Sequence, residues 1–384
     1  MRQYRAVAGA AAAVALVAVS PATASAHGGG RGGEPITTVA GGLEGPRQLS
    51  DFPGPRVVVA ESDSGEVSSV HLRTGEVETL LTGLGNAQGV DSERGRLYVA
   101  VGESGGPPPE EGAPPPEEGA PPPPPADMPS QLLVEAKLNG EIVRTWDLLE
   151  YELENNPDGQ LQFDPDTQQP IETLSNPFSV LVQHKRVLVS DAGANAVLSV
   201  DLRSGEISTF FVPPTVTDVE GCAEAENNPG TEGCDSVPTE ITQGPDGLIY
   251  VGTLGAEVPG AGRVYVLDRH GNQVDVIEGL TGVTGVAVDW WCNVYVSNVL
   301  EGAPMGEGPP PEGFDPASVG EITRISPHGE RATAQVAMPT GLEFTRGKLY
   351  ASAWSIAGFV LPPGSPPAGE VQRITHRAFT GTAP

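Results

Sequence analysis

Basic residues are scarce in this 384-residue chain: Lys and Arg number 21 against 50 Asp and Glu, and the formal net charge is −29. Phosphate backbones are held by clusters of Lys and Arg, so nucleic acid is excluded as a partner. Cysteine is nearly absent too, at 3 residues, and without a C-x-x-C pair a thiolate zinc centre has no ligands. No His-x-x-x-His metalloprotease helix occurs. Long apolar runs are missing everywhere except at the N-terminus, which leaves no other candidate for a membrane span. What the chain has in abundance is Gly (50) and Pro (39), a load that argues for many turns and short strands rather than helices.

The N-terminus reads as a targeting segment. Arg2 and Arg5 precede an apolar run over residues 6–19, and Ala24-Ser25-Ala26 fits the small-x-small cleavage pattern. Residues 1–26 are therefore expected to be a signal peptide, with the mature chain starting near His27 and no membrane span after cleavage. The expected location is secreted, extracellular or in the cell envelope. An oxidising compartment suits Cys222 and Cys234, which flank a loop rich in Gly, Asn and Pro that a disulfide would close. Cys292 is left over as a candidate free thiol.

Internal repetition decides the fold. Apolar quartets recur six times: Val57-Val58-Val59-Ala60, Leu97-Tyr98-Val99-Ala100, Val187-Leu188-Val189-Ser190, Ile249-Tyr250-Val251-Gly252, Val294-Tyr295-Val296-Ser297 and Leu349-Tyr350-Ala351-Ser352. Each follows a turn and a shorter apolar strand. Each precedes an alternating third strand, and in five units a hairpin such as Arg73-Thr74-Gly75-Glu76 or His328-Gly329-Glu330 leads to a fourth. Four strands per unit, repeated around an axis, is the plan of an all-β, six-bladed β-propeller over residues 27–384. The sixth unit lacks a fourth strand after Ile374. Residues 36–43 have the character of fourth strands, so the N-terminal strand is expected to pair with the last blade and close the ring.

Turns between first and second strands are short, and so are those between third and fourth. The long segments 102–130, 254–261, 299–319 and 355–368 leave the ends of second strands; 147–175 and 213–236 join successive blades. Both kinds emerge on one face of a propeller, and long loops gathered on one face point to a binding surface. The loops are acidic, and 104–129 is a Pro/Glu-rich insertion with polyproline II character. The expected partner is a small molecule or protein at this loop face, bound by a monomer.

Residues at the loop-bearing ends of the strands are the candidates for chemistry. Glu61, Asp191 and Asn298 follow second-strand quartets and Glu240 opens a first strand, so the four are expected near the channel mouth. Their oxygens suit a hard divalent cation such as Ca2+. Asn86 and Asn176 open first strands at the same end and are expected to bind ligand. Gly102-Glu103-Ser104-Gly105-Gly106 has the outline of a serine-protease nucleophile loop but runs into prolines and finds no His partner segment. Trp290 and Trp291 fall in a short turn on the opposite face.

Several stretches resemble the ScyD/ScyE family of exported propeller proteins. They are 147–152 with Asn155-Asn156-Pro157-Asp158-Gly159, Ser175-Asn176-Pro177-Phe178, Asp191-Ala192-Gly193-Ala194-Asn195, Val237-Pro238-Thr239 and Gly244-Pro245-Asp246-Gly247. The likeness covers nearly the whole mature chain; the later blades are similar in a general way to NHL-type and gluconolactonase-like propellers. It implies the propeller fold and export, and supplies no catalytic residues. Two activities follow as expectations: a binding module acting through the acidic loop face, or a divalent-metal-dependent lactonase or related hydrolase.

Overall fold

The computed structural model describes residues 34–103, 130–304, 311, 313–361 and 364–381. The signal-peptide reading and the Pro/Glu insertion 104–129 lie outside the described residues. Six four-stranded antiparallel sheets form the blades of a propeller. Blade 1 runs through Pro46–Phe52, Arg56–Glu61, Glu66–His71 and Val77–Leu81, and blade 2 through Ala87–Glu93, Arg96–Val101, Leu132–Lys137 and Ile142–Asp147. Blade 3 comprises Pro177–Gln183, Arg186–Asp191, Ala196–Asp201 and Ile207–Phe211; blade 4, Pro238–Gln243, Ile249–Thr253, Gly262–Leu267 and Gln273–Leu280. Blade 5 comprises Val283–Val288, Val294–Asn298, Glu321–Ile325 and Arg331–Gln335. Blade 6 takes Leu342–Thr345, Lys348–Ala353 and Gly369–Ile374 from the C-terminal end and Ile36–Leu43 from the N-terminal end. That closing pair runs from Ile36 opposite Ile374 to Leu43 opposite Gly369, so no blade is left with an unfinished outer edge.

The second strands are apolar throughout because each is covered on both faces. In blade 1 the pleat sends Val57 and Val59 toward blade 6, where they pack with Ala40, Tyr350 and Val371. Val58 and Ala60 go the other way, against Val90, Leu97 and Val99 of blade 2. The same split recurs in blade 2, whose Tyr98 and Ala100 meet Val187 and Val189 of blade 3. Six apolar clusters result, one between each pair of neighbours. Burying each Val or Leu contributes about 1.5–3 kcal/mol, so the ring is held by the interfaces between blades rather than by a single centre. Fourth strands are largely exposed.

First strands of adjacent blades pack on one another around the axis, which makes them the channel wall. Second-strand ends therefore sit one strand farther out than the channel mouth where the sequence reading placed them. The connection after blade 2 forms helix Leu148–Asn155, an element the turn-rich composition argued against. Asp147 accepts from Glu150 N–H at its start, and Asn156, in the left-handed region (φ 44°), ends it. After blade 3 comes a small hairpin, Glu226–Asn228 with Thr231–Glu232, inside the ring closed by the Cys222–Cys234 disulfide. Cys292 is a free thiol, and Trp290 and Trp291 beside it are exposed. No helix among the described residues is long and apolar enough to cross a membrane.

Candidate functional site

A propeller's innermost strand pairs along its outer edge and turns its inner edge, with unpaired N–H and C=O groups, to the channel. Side chains of other blades fill that need here. Gln48 of blade 1 donates from Nε2 to Val180 O (2.9 Å) and accepts Val180 N–H at Oε1 (3.0 Å), so its amide pairs with the edge of blade 3 as a strand would. Its Nε2 also donates to Oε1 of Glu240 in blade 4 (2.9 Å). Two residues along, Asp91 Oδ2 accepts Val182 N–H (2.8 Å), and Ser50 Oγ donates to Val90 O (3.1 Å). The channel is bridged at Gln48 rather than open.

The entrance is shaped by a bulge repeated in the first strands of blades 1 to 5. One residue is extra between Ala87 and Gly89, between Pro177 and Ser179, between Pro238 and Glu240 and between Val283 and Gly285, and the ladder of blade 1 shifts between Pro46 and Leu49. A bulge re-aims its extra side chain. In blades 4 and 5 that residue is Thr239 or Thr284, and Thr340 stands at the matching place in blade 6. Each threonine hydroxyl ties its blade to the next, donating to Val283 O (2.6 Å), Pro339 O (3.2 Å) and Pro46 O (3.0 Å) respectively. Blades 1, 2 and 3 carry Arg47, Gln88 and Phe178 instead. One half of the ring is stitched by short hydroxyls; the other half presents a guanidinium, an amide and a phenyl group.

Arg47 is 9% exposed and donates from Nε to Ser62 Oγ (3.0 Å). Burial lowers its pKa, with Asp63 opposing the shift. Its terminal nitrogens make no hydrogen bond among the described residues. Gln88 is buried with Oε1 lacking a donor. A β-carbon on Gly102 would lie 2.9 Å from Gln88 Cγ and 2.6 Å from Asn176 Oδ1, so only glycine permits this approach. Asn86 and Asn176 meet at the same point: Asn86 Nδ2 donates to Glu103 O (2.9 Å) and Asn176 Oδ1 accepts Glu103 N–H (3.0 Å). The two predicted ligand-binding asparagines are thus brought together, and they hold the root of the 104–129 insertion beside Gln88.

The four predicted metal ligands are not gathered in this way. Asp191 is fully buried. Its Oδ2 accepts from Ser175 Oγ (2.7 Å), and its Oδ1 from Asn176 N–H (2.6 Å) and Ala194 N–H (3.2 Å). Burial raises its pKa against those donors. Glu61 Oε2 accepts Glu44 N–H (2.8 Å), and burial raises its carboxyl too. Asn298 Oδ1 accepts Leu300 N–H (3.1 Å) while its Nδ2 donates to Glu301 Oε2 (3.0 Å). Glu240 alone faces the channel bridge; Oε1 accepts from Gln48 and from Ile241 N–H (3.0 Å), and Oε2 is buried without a donor. Burial holds its carboxyl well above the usual range. As placed, three of the four cap turns in their own blades, and no group of three or more His, Cys, Asp or Glu converges on a cation among the described residues. Arg47, Gln48, Gln88 and Phe178 escaped the sequence reading. Aligning the residue after each first-strand start would have found three of them, because Thr, Thr and Thr contrast there with Arg, Gln and Phe.

No family model and no curated protein matches the chain. Solved structures do. A proposed oxidoreductase (glucose dehydrogenase) from Thermus thermophilus is similar over 88% of this chain and 99% of its own, with TM-score 0.51 and 14% identity. A luciferin-regenerating enzyme is similar over 91% and 97%, with TM-score 0.50 and 10% identity. Regucalcin from Agrobacterium tumefaciens str. C58 gives TM-score 0.47 and 12% identity over 88% and 90%. At these identities the likeness is one of fold alone, the β-propeller.

Proposed function

We propose that this chain is an exported, ScyD/ScyE-like propeller that serves as a binding module, seating a small molecule with an anionic group at the channel mouth on its loop face. The observation that carries the reading is the asymmetric ring of bulged residues. Arg47, Gln88 and Phe178 offer one cation, one unused amide oxygen and one apolar face where the other three blades carry hydroxyls already committed to structure. A guanidinium at a low-dielectric entrance favours a carboxylate, and the phenyl group of Phe178 in the same ring favours a flat or apolar body. The Cys222–Cys234 disulfide supports an oxidising destination.

A thermal-shift screen of small carboxylates against the mature chain tests the reading. A ligand of this seat should weaken at least about tenfold, or ~1.4 kcal/mol, in both Arg47→Met and Gln88→Met. Ligands indifferent to both changes, or none at all, would refute it. A divalent-metal-dependent lactonase is the second reading; of its expected ligands Glu61, Asp191, Glu240 and Asn298, only Glu240 favours it, through its donorless Oε2. Elemental analysis of the purified protein, compared with Asp191→Ala, checks it: one ion per chain, lost in the variant, is the outcome it requires.

A further inference from the structure

Away from the channel, a second cluster of polar groups lies where the chain passes from blade 2 to blade 3. It comprises Glu152 in helix Leu148–Asn155, the following residues Asn156, Asp158 and Gln160, and Asn195 in the turn after the second strand of blade 3. Glu152 is 3% exposed, Asn195 5% and Gln160 9%. Hydrogen bonds link the group: Asn195 Nδ2 donates to Asp158 Oδ2 (3.1 Å), Asn156 Nδ2 to Gln160 O (2.9 Å), and Gln160 Nε2 to Asp235 Oδ1 (2.6 Å). Gln162 Nε2 donates to Glu152 Oε1 (3.0 Å).

Those bonds fix which way each amide points. Turning Asn195 or Gln160 over would press an amide oxygen against a carboxylate, and turning Asn156 would press one against a carbonyl, so the nitrogens stay where they are. Four oxygens are consequently buried with no donor: Glu152 Oε2, Asn156 Oδ1, Gln160 Oε1 and Asn195 Oδ1. Neither Glu152 nor Asp158 is paired with Lys or Arg among the described residues. Acceptors set along one helix end and the turns packed on it, carrying net negative charge and lacking donors, have the chemistry of an oxygen-ligated cation.

We infer that Glu152, Asn156, Gln160 and Asn195, with Asp158 adding charge, form a site for a hard divalent cation that fastens the helix and its turn to blade 3. Carboxylate and amide oxygens without sulfur or imidazole select Ca2+ over zinc and other transition metals, and Mg2+ would demand a stricter octahedron with retained waters. The donor set is mixed, so it does not need three acidic residues on one ion. It shares no residue with the channel mouth, and the two assignments stand or fall separately.

Calorimetric titration of the chelator-treated mature chain with CaCl2, then with MgCl2, is the test. One saturable Ca2+ site is expected, accompanied by a rise in Tm. Glu152→Gln should weaken it at least tenfold, and so should Asn195→Gly, which removes an oxygen while suiting the positive φ of 47°. A wild-type Tm and calorimetric trace indifferent to Ca2+ up to about 10 mM, tenfold beyond the weak extracellular range of ~1 mM, would overturn the site whatever the variants do. Saturable binding that survives both variants would overturn it as well, placing the ion elsewhere. In either case waters would be the partners of the four oxygens.

Discussion

Gln48→Ala should damage this protein out of proportion to one polar side chain. The glutamine covers both the N–H and the C=O of Val180 on the inner edge of blade 3 and donates to Glu240 across the channel. Alanine leaves the two Val180 groups buried without partners, at about 1–3 kcal/mol each, and removes a donor from a carboxyl already short of one. The sum is roughly 4 kcal/mol. With an unfolding entropy near 2.1 cal/mol/K per residue over ~350 residues, the slope is about 0.7 kcal/mol/K, so Tm falls by about 5 °C. Calorimetry provides Tm, and urea unfolding followed by tryptophan fluorescence provides the free energy. Gln48→Glu sharpens the comparison: its oxygen can still accept Val180 N–H, but the ionised form cannot donate to Val180 O and repels Glu240. That variant should therefore be worse at pH 8 than at pH 5. A loss below about 1 kcal/mol in Gln48→Ala would refute the idea that an amide substitutes for a strand at this edge.

The lower end of the channel should give the fold a pH dependence. Burial raises Asp91 to about 6 and Glu343 to about 8, with Glu93 adding to the first and Asp91 and Asp51 to the second; Arg346 pairs with Asp51 at the same end. A raised folded pKa means that the native state holds the proton more tightly than the unfolded chain. Stability is then greatest below the unfolded carboxyl value and declines as pH rises through 6 toward 8. Both side chains are part-exposed, so the decline is on the order of 1–2 kcal/mol after solvent screening. Tm measured at pH 5 and pH 8 should fall in wild type and fall less in Glu343→Gln; a flat or rising wild-type trend contradicts the argument. At the turn of blade 5, Cys292 has φ 59° where blade 4 uses Gly247 at 81°, and both donate N–H back to the residue three before. Cys292→Gly should relieve left-handed strain and gain about 0.5–1 kcal/mol net of the added unfolded-state entropy. An unchanged or lower urea midpoint would show that the turn bears no strain.

What the sequence could disclose follows from where each residue's partners lie. Val57 through Ala60 are apolar on both faces because two blades enclose them, and a run of that kind, repeated six times, is legible without coordinates. Ring closure was legible for a related reason: the sixth repeat lacks a strand and residues 36–43 supply its pattern. Helix Leu148–Asn155 was hidden by the overall Gly and Pro content, although Asp147 with Glu150 three places on is a local start signal. The site is harder. Asp191, Glu61 and Asn298 end strands with an oxygen, and an oxygen that caps a turn has the same sequence signature as one that binds an ion. Only the positions of Ser175, Glu44 and Leu300 distinguish them. Gln48 reaches partners 132 and 192 residues away, so no local pattern could announce the bridge. Asn86 and Asn176 share a blade-repeat position, and that reasoning carried one step further exposes the bulged ring. Repetition discloses function in a propeller where a repeat breaks its own rule: three threonines tie blades 4, 5 and 6 forward, and Arg47, Gln88 and Phe178 mark the half of the ring released from that duty.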